Sequence, residues 1–118
     1  MKVYETVRWV RDVLAASPGL LRSPYKAAVV DGGAHPLTGH CYVASEALMH
    51  LLGPDSWKPE TVSHEGTTHW YLRHRETGRV LDATADQFDT PVPYAEGRGR
   101  GFMTREPSKR TQEALASI

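Results

Sequence analysis

Apolar and polar positions alternate with two periods along this chain, helical in the first half and strand-like in the second. Val3, Val7, Val10 and Leu14 recur at helical spacing, with Glu5, Arg8, Arg11 and Asp12 between them. This predicts an amphipathic helix over about residues 3–16, ended by Ser17-Pro18-Gly19. Residues 20–37 hold no clean period: "SPYKAAVV" fits a short helix or a strand, and "DGGAHP" reads as loop. The clearest helix follows in "TGHCYVASEALMHLLG". Tyr42, Ala44, Ala47, Leu48, Leu51 and Leu52 form its apolar stripe, Thr38 stands where an N-cap belongs, and Gly53-Pro54 stops it.

After "GPDSWKPE" the period changes. "ETVSHE" predicts a short strand. "THWYLRHR" and "RVLDAT", rich in β-branched and aromatic residues, flank Thr77-Gly78 and predict a β-hairpin. Trp70, Leu72 and Val80 are its expected core positions. "ADQFDTPVPY" reads as loop with at most one helical turn, and "EGRGRGFMTREPSKR" as irregular chain or an edge strand. "SKRTQEALAS" reads as a closing helix capped by Ser108. Helices first and an antiparallel hairpin afterwards predict an α+β fold. A length of 118 residues suits a single domain over residues 1–118.

Composition narrows the function classes. Hydrophobic residues make up 40% and charged residues 24%, a globular balance. Fourteen basic residues balance fourteen acidic ones, so bulk charge gives no pull toward nucleic acid or an anionic membrane. No apolar run approaches the roughly 18–20 residues of a membrane span. "MKVYETVRWVRDVL" lacks the apolar core of a signal peptide. Cys41 is the only cysteine, which excludes an internal disulfide framework and a cysteine-rich zinc site and fits a reducing cytoplasm. His64, His69 and His74 are spaced by five, with His35 and His40 upstream, so a histidine-rich metal site is one reading. A step of five inverts the face of a strand each time, so the three would not converge. No metal ligand and no cofactor is expected.

The lone thiol then carries the chemical question. A buried structural cysteine is the ordinary outcome. Cys41 instead falls at a predicted helix start, where unpaired N–H groups and the helix dipole favour an anion. Those donors can also serve as part of an oxyanion hole, and Gly39 leaves room for a substrate carbonyl. A base must come from elsewhere in the chain. His69 lies on "THWYLRHR" and Asp82 at the end of "RVLDAT". A hairpin centred near residues 77–78 sets residue 69 opposite 85–87. Asp86 is therefore nearer the expected register than Asp82 and is its rival as the orienting acid.

Cysteine on a helix start, histidine on a strand and aspartate on the next strand is an order that resembles the transglutaminase-like branch of the papain-like cysteine proteases. "GHCYVAS" is similar to that family's helix start, and "HWYL…GRVLDAT" to its histidine strand and aspartate strand end. The likeness covers about residues 37–88. It differs in that Trp70 directly follows His69, Ala83 replaces a proline and Tyr42 replaces a tryptophan. The resemblance implies a papain-like minimal core of N-terminal helices packed on a small antiparallel sheet. It implies Cys41 as nucleophile, His69 as base and acid, Asp82 as orienting carboxylate, and a peptide or protein substrate with an amide, isopeptide or thioester bond. His35, Gly39, His40 and Trp70 are the candidates for oxyanion or substrate contacts. The chain also resembles small phage-encoded proteins.

Residues 97–110 are the exception to charge balance. Arg98, Arg100, Arg105, Lys109 and Arg110 face a single acid, Glu106. Gly97, Gly99 and Gly101 alternate with Arg98 and Arg100, a pattern of backbone that needs room. Arg98 and Arg100 are candidate anion contacts. An alternative reading is a non-enzymatic binding or inhibitor protein that uses this segment against a partner.

Overall fold

A computed structural model describes residues 2–21, 25, 30, 32, 33, 35, 37–102 and 107–116. The readings of "SPYKAAVV" and "DGGAHP" fall mostly outside the described residues, as do Arg105 and Glu106. Helix α1 spans Val3–Ala15. Val10 and Leu14 are buried on its inner stripe, and Val3 and Val7 pack at the margin. A 3-10 turn at Pro18–Leu20 follows, begun by a proline whose ring presets the required φ.

Helix α2 spans Cys41–Leu52, and its N-cap residue is His40 rather than Thr38. Gly39 causes the difference. Its φ of 82° is left-handed and cannot continue into a right-handed helix. Leu37–Gly39 therefore form a tight turn, closed by the His40 N–H on Leu37 O at 3.1 Å. The first helical bond runs from Ala44 N–H to His40 O at 2.8 Å. Cys41 thus becomes the first helical residue. Every residue from Val43 to Leu48 is buried, including Ser45 and Glu46, because α2 is enclosed by α1, the sheet and a later helix. The expected single stripe was too narrow in the middle and too long at the end, where Leu51 is 44% exposed.

That later helix, α3, spans Lys109–Ala116. Ser108 Oγ accepts the Thr111 N–H at 3.3 Å, as an N-cap should. The Ser108 N–H donates to the buried Glu46 carboxylate at 2.7 Å, tying the start of α3 to the middle of α2. Among the described residues no helix is long and apolar enough to cross a membrane.

The sheet is antiparallel, with β1 at Trp57–His64, β2 at Thr67–His74, β3 at Val80–Leu81 and β4 at Arg98–Gly99 in the order β3-β2-β1-β4. Strand β1 extends back through "WKPE" despite Pro59. The Pro59 carbonyl accepts the Arg100 N–H, so its missing donor falls on the side of the short edge strand and not in the β1–β2 ladder. Trp57 and Leu72 join Val10, Leu14, Val43 and Leu48 in the core on the helical face of the sheet. Alternation sends His69, Tyr71 and Glu60 to the other face, also buried. There the chain after β3 covers them: Phe88 packs 4.7 Å from the His69 ring and Tyr94 5.0 Å from the Tyr71 ring. Two expected core residues are only half-buried. Val80 sits on the two-residue edge strand, and Trp70 lines a surface hollow. The fold is α+β.

Candidate active site

Register and side-chain bonding together decide which aspartate meets His69. Strands β2 and β3 pair Leu72 with Leu81 and Arg73 with Val80, and His74 N–H bonds Arg79 O at 2.8 Å. The hairpin is therefore closed around Arg75–Gly78, one residue earlier than a turn centred on 77–78. Continuing that register sets residue 84 opposite His69, with Asp82 and Asp86 each two positions away on the same face. Such diagonal neighbours are within reach of long side chains. His69 Nε2 and Asp82 Oδ2 lie 2.6 Å apart, the ring wholly buried and the carboxylate 5% exposed. No bulge is needed. Asp86 is engaged elsewhere: Arg11 grips both its oxygens at 2.9 and 2.7 Å, and His35 Nε2 lies 3.4 Å away. The Arg11 guanidinium holds the Asp86 carboxyl below its usual range.

Asp82 is fixed on all sides. Tyr94 donates its hydroxyl to Oδ2 at 2.7 Å and Thr84 its N–H to Oδ1 at 3.1 Å. Burial and the Asp82 carboxylate drive the Tyr94 phenol pKa upward, so Tyr94 stays a donor. Behind it, Tyr71 donates to Glu60 at 3.0 Å, and Arg73 Nε lies 2.9 Å from both Glu60 oxygens. Arg73 also donates to Tyr94 O at 3.2 Å, which fixes the backbone that presents the Tyr94 hydroxyl.

The thiol meets this pair at a gap in the sheet. Strand β3 ends at Leu81, so β2 has no strand partner on its β3 side beside Thr68, and Cys41 Sγ lies 4.0 Å from Thr68 O. His69 Nδ1 is buried and makes no hydrogen bond of good geometry. Cys41 nevertheless acts on the ring. Burial pushes the His69 pKa down, but hydrogen bonding and charge from Asp82, joined by those from Cys41, raise it to about 9. At neutral pH the ring is held as imidazolium. Among the described residues, the N–H groups of Cys41 and Val43 have no backbone acceptor, as the first turn of a helix requires.

Cys41 opens onto a hollow of about 430 Å³. Gly39, Tyr42, Trp70, Gln87 and Phe88 line it with Cys41. A Cβ on Gly39 would lie 2.6 Å from Tyr25 Cγ, so glycine is required there by space as well as by φ. Of the other residues singled out in the sequence, His40 is wholly buried and outside the hollow. Burial and Arg110 push its pKa down to about 4, so it is neutral. His35 is drawn to Asp86, as above. Neither lines the hollow at Cys41. His64 bonds Thr90, and His74 Nδ1 accepts from the Glu76 and Thr77 N–H groups. Among the described residues no group of three or more His, Cys, Asp or Glu is arranged to hold a metal ion.

Sequence reasoning passed over three residues. Gln87 accepts the Gly39 N–H at 3.2 Å and donates to Thr84 Oγ1 at 3.1 Å, linking the turn before Cys41 to the strand end that carries Asp82. Tyr94 holds Asp82. Glu65, in the β1–β2 turn with φ 47°, accepts the Thr90 N–H at 3.0 Å and its hydroxyl at 2.6 Å. That clasp holds the chain beside Phe88. A lone Gln, Tyr or Glu in loop sequence carries no periodic signal, and only the fold reveals these roles. No protein-family model, curated protein or solved structure significantly matches the chain.

Proposed function

We propose that this protein is a thiol-dependent hydrolase or acyltransferase on a papain-like, transglutaminase-like fold, with Cys41 as nucleophile, His69 as base and acid, and Asp82 as orienting carboxylate. One observation carries the reading: a wholly buried His69 clamped by Asp82 at 2.6 Å, its Nδ1 edge left without a hydrogen bond where the Cys41 thiol acts on it. In the proposed cycle the His69 imidazolium carries the proton that Cys41 Sγ has given up, so the pair starts as thiolate and imidazolium. The thiolate attacks the carbonyl carbon of an amide, isopeptide or thioester, and the new oxyanion is met by N–H groups at the start of α2. As the carbon–leaving group bond breaks, His69 returns the proton to the departing amine or thiol. Water or an amine then attacks the acyl-thioester and gives its proton to His69, and the C–S bond breaks to release Cys41 as the thiolate beside the restored imidazolium. Both outcomes share the first half, and a peptide or protein is the proposed substrate. A free thiol of this kind works in a reducing cytoplasm.

Iodoacetamide labelling of the native protein across a pH series tests the reading. Cys41 should label readily near neutral pH, and His69→Ala should slow labelling there by about a hundredfold. A thiol that labels only on unfolding overturns the reading. Exposed Arg98 and Arg100 would then favour the binding-protein alternative, in which partner binding survives Cys41→Ala unchanged.

A further inference from the structure

The helices cover only part of their face of the sheet. Thr61 pairs with Trp70 on one side and Arg98 on the other, and Ser63 pairs with Thr68. Alternation therefore sets Thr61, Ser63, Thr68, Trp70, Arg98 and Arg100 on one face. Beyond Trp70 this face opens into a second hollow of about 310 Å³, lined by Thr61, Ser63, Thr68, Arg98, Arg100 and Glu96, among others. Thr68 lines the second hollow while its carbonyl lies 4.0 Å from Cys41 Sγ. Trp70 lines the first while the Arg100 guanidinium sits 5.6 Å over its ring.

Two features make this second hollow a receptor for negative charge. Among the described residues, neither Arg98 nor Arg100 forms an ion pair, although Arg11 and Arg73 do. The indole under Arg100 orients a planar guanidinium and leaves its N–H edges free, the arrangement that suits a bidentate carboxylate. Glu96 on the rim opposes a second negative group, so the hollow suits one carboxylate.

We propose that the hollow at Arg98 and Arg100 is a substrate subsite for a single carboxylate, carried by an acidic peptide whose scissile carbonyl lies at Cys41. The proposal rests on Cys41 being the nucleophile, and its test is separable from that. The probe is an acetylated, amidated hexapeptide with one Glu, compared with its Gln isostere, titrated into Cys41→Ala protein. The Glu peptide should bind about five- to tenfold tighter, the worth of two partly exposed arginine contacts. The preference should vanish in Arg98→Gln/Arg100→Gln and shrink between about 0.05 and 0.5 M salt. Equal binding of the two peptides overturns the proposal, as does a preference that survives the double substitution. A Gln peptide with a free C-terminus that binds as tightly as the Glu peptide supports the subsite and assigns the carboxylate to a chain end. Bromoacetyl forms of the same peptides complete the test on the unsubstituted protein, where the Glu form should label Cys41 faster by the same factor. Inert Cys41 beside an intact charge preference would refute the nucleophile alone, and equal labelling by both forms would refute the subsite alone.

Discussion

Replacing Asp82 with Asn removes a charge and little volume, and its cost should depend on pH in a way that isolates His69. The ring lies wholly buried, 2.6 Å from the carboxylate. Raising its pKa from 6.5 to about 9 corresponds to about 3 kcal/mol in favour of the protonated, folded form. A raised folded pKa gives stability that is fully present below about 6.5 and lost as pH rises through about 9. In Asp82→Asn, burial remains and its main opponent is gone, so the ring falls to its ordinary value or below. The variant should therefore be about 4 kcal/mol less stable than the parent at pH 6, the linkage term plus the weakened bonds to the residue at 82. The gap should close to about 1 kcal/mol at pH 9.5, the residue of weakened bonds from Tyr94 and Thr84. Urea denaturation of both proteins at half-unit steps from pH 6 to 9.5 measures this, and His40 cancels because both proteins contain it. A gap that stays constant across the range would refute the assignment of His69 as an imidazolium held by Asp82.

The acid side belongs to His40, whose pKa is pushed down to about 4 by burial and Arg110. Its contribution is complete above about 6.5 and drains away as pH falls toward 4, by about 3 kcal/mol in all. His40→Leu should flatten the denaturation midpoint between pH 6.5 and 4.5, and an unchanged slope would contradict it. Gly39→Ala forces a Cβ to within 2.6 Å of Tyr25 at a left-handed φ, and should cost about 2–4 kcal/mol in urea denaturation while slowing Cys41 labelling. Gly97→Ala drives a Cβ to 1.6 Å from the Tyr71 hydroxyl and should loosen the Glu60–Tyr71–Arg73 cluster by about 1–3 kcal/mol, read the same way. Tyr94→Phe removes one donor to Asp82 and should cost about 1 kcal/mol with His69 still charged at pH 7, visible by NMR of the ring.

The elements that could be read from the sequence are those whose burial pattern repeats. Val3, Val7, Val10 and Leu14 bury one stripe of α1, and strand β2 falls where β-branched and aromatic residues cluster. The charged and proline-containing "WKPE" hid the first half of β1, because its proline nitrogen faces the short edge strand and costs the main ladder nothing. The N-cap of α2 falls two residues later than Thr38 for a reason at one position. Thr38 has the chemistry of an N-cap, but the left-handed Gly39 prevents helix from beginning there. Gly97 was legible as backbone needing room, since it lies against Tyr71. Gly99 and Gly101 have open space around them, and nothing in the structure explains the choice of glycine there.

The candidate site shows how small an offset separates two readings. A turn centred on Thr77-Gly78 sets Asp86 opposite His69, and a turn one residue earlier leaves Asp82 and Asp86 two positions to either side of that place. Nothing in "HRETGRV" distinguishes them, because turn propensity is satisfied by both. What distinguishes them is long-range. Arg73 donates to Gly78 O at 2.7 Å and binds Glu60 across the sheet, so the turn is anchored by a strand that sequence reasoning had only half recognised. Arg11, on a helix some seventy residues earlier, takes Asp86 out of contention by binding both its oxygens. The choice of acid for His69 is therefore made by two arginines outside the site. It follows that Arg11→Met should loosen the 3-10 turn at Ala85–Gln87 while leaving the His69–Asp82 contact in place, whereas Arg73→Met should disturb that contact through the hairpin turn and Tyr94. The His69 ring resonances, followed by NMR across pH 6 to 10, separate the two. Their midpoint should stay near 9 in Arg11→Met and fall in Arg73→Met. The reverse order would mean that the register is set by the α1 contact and not by the sheet.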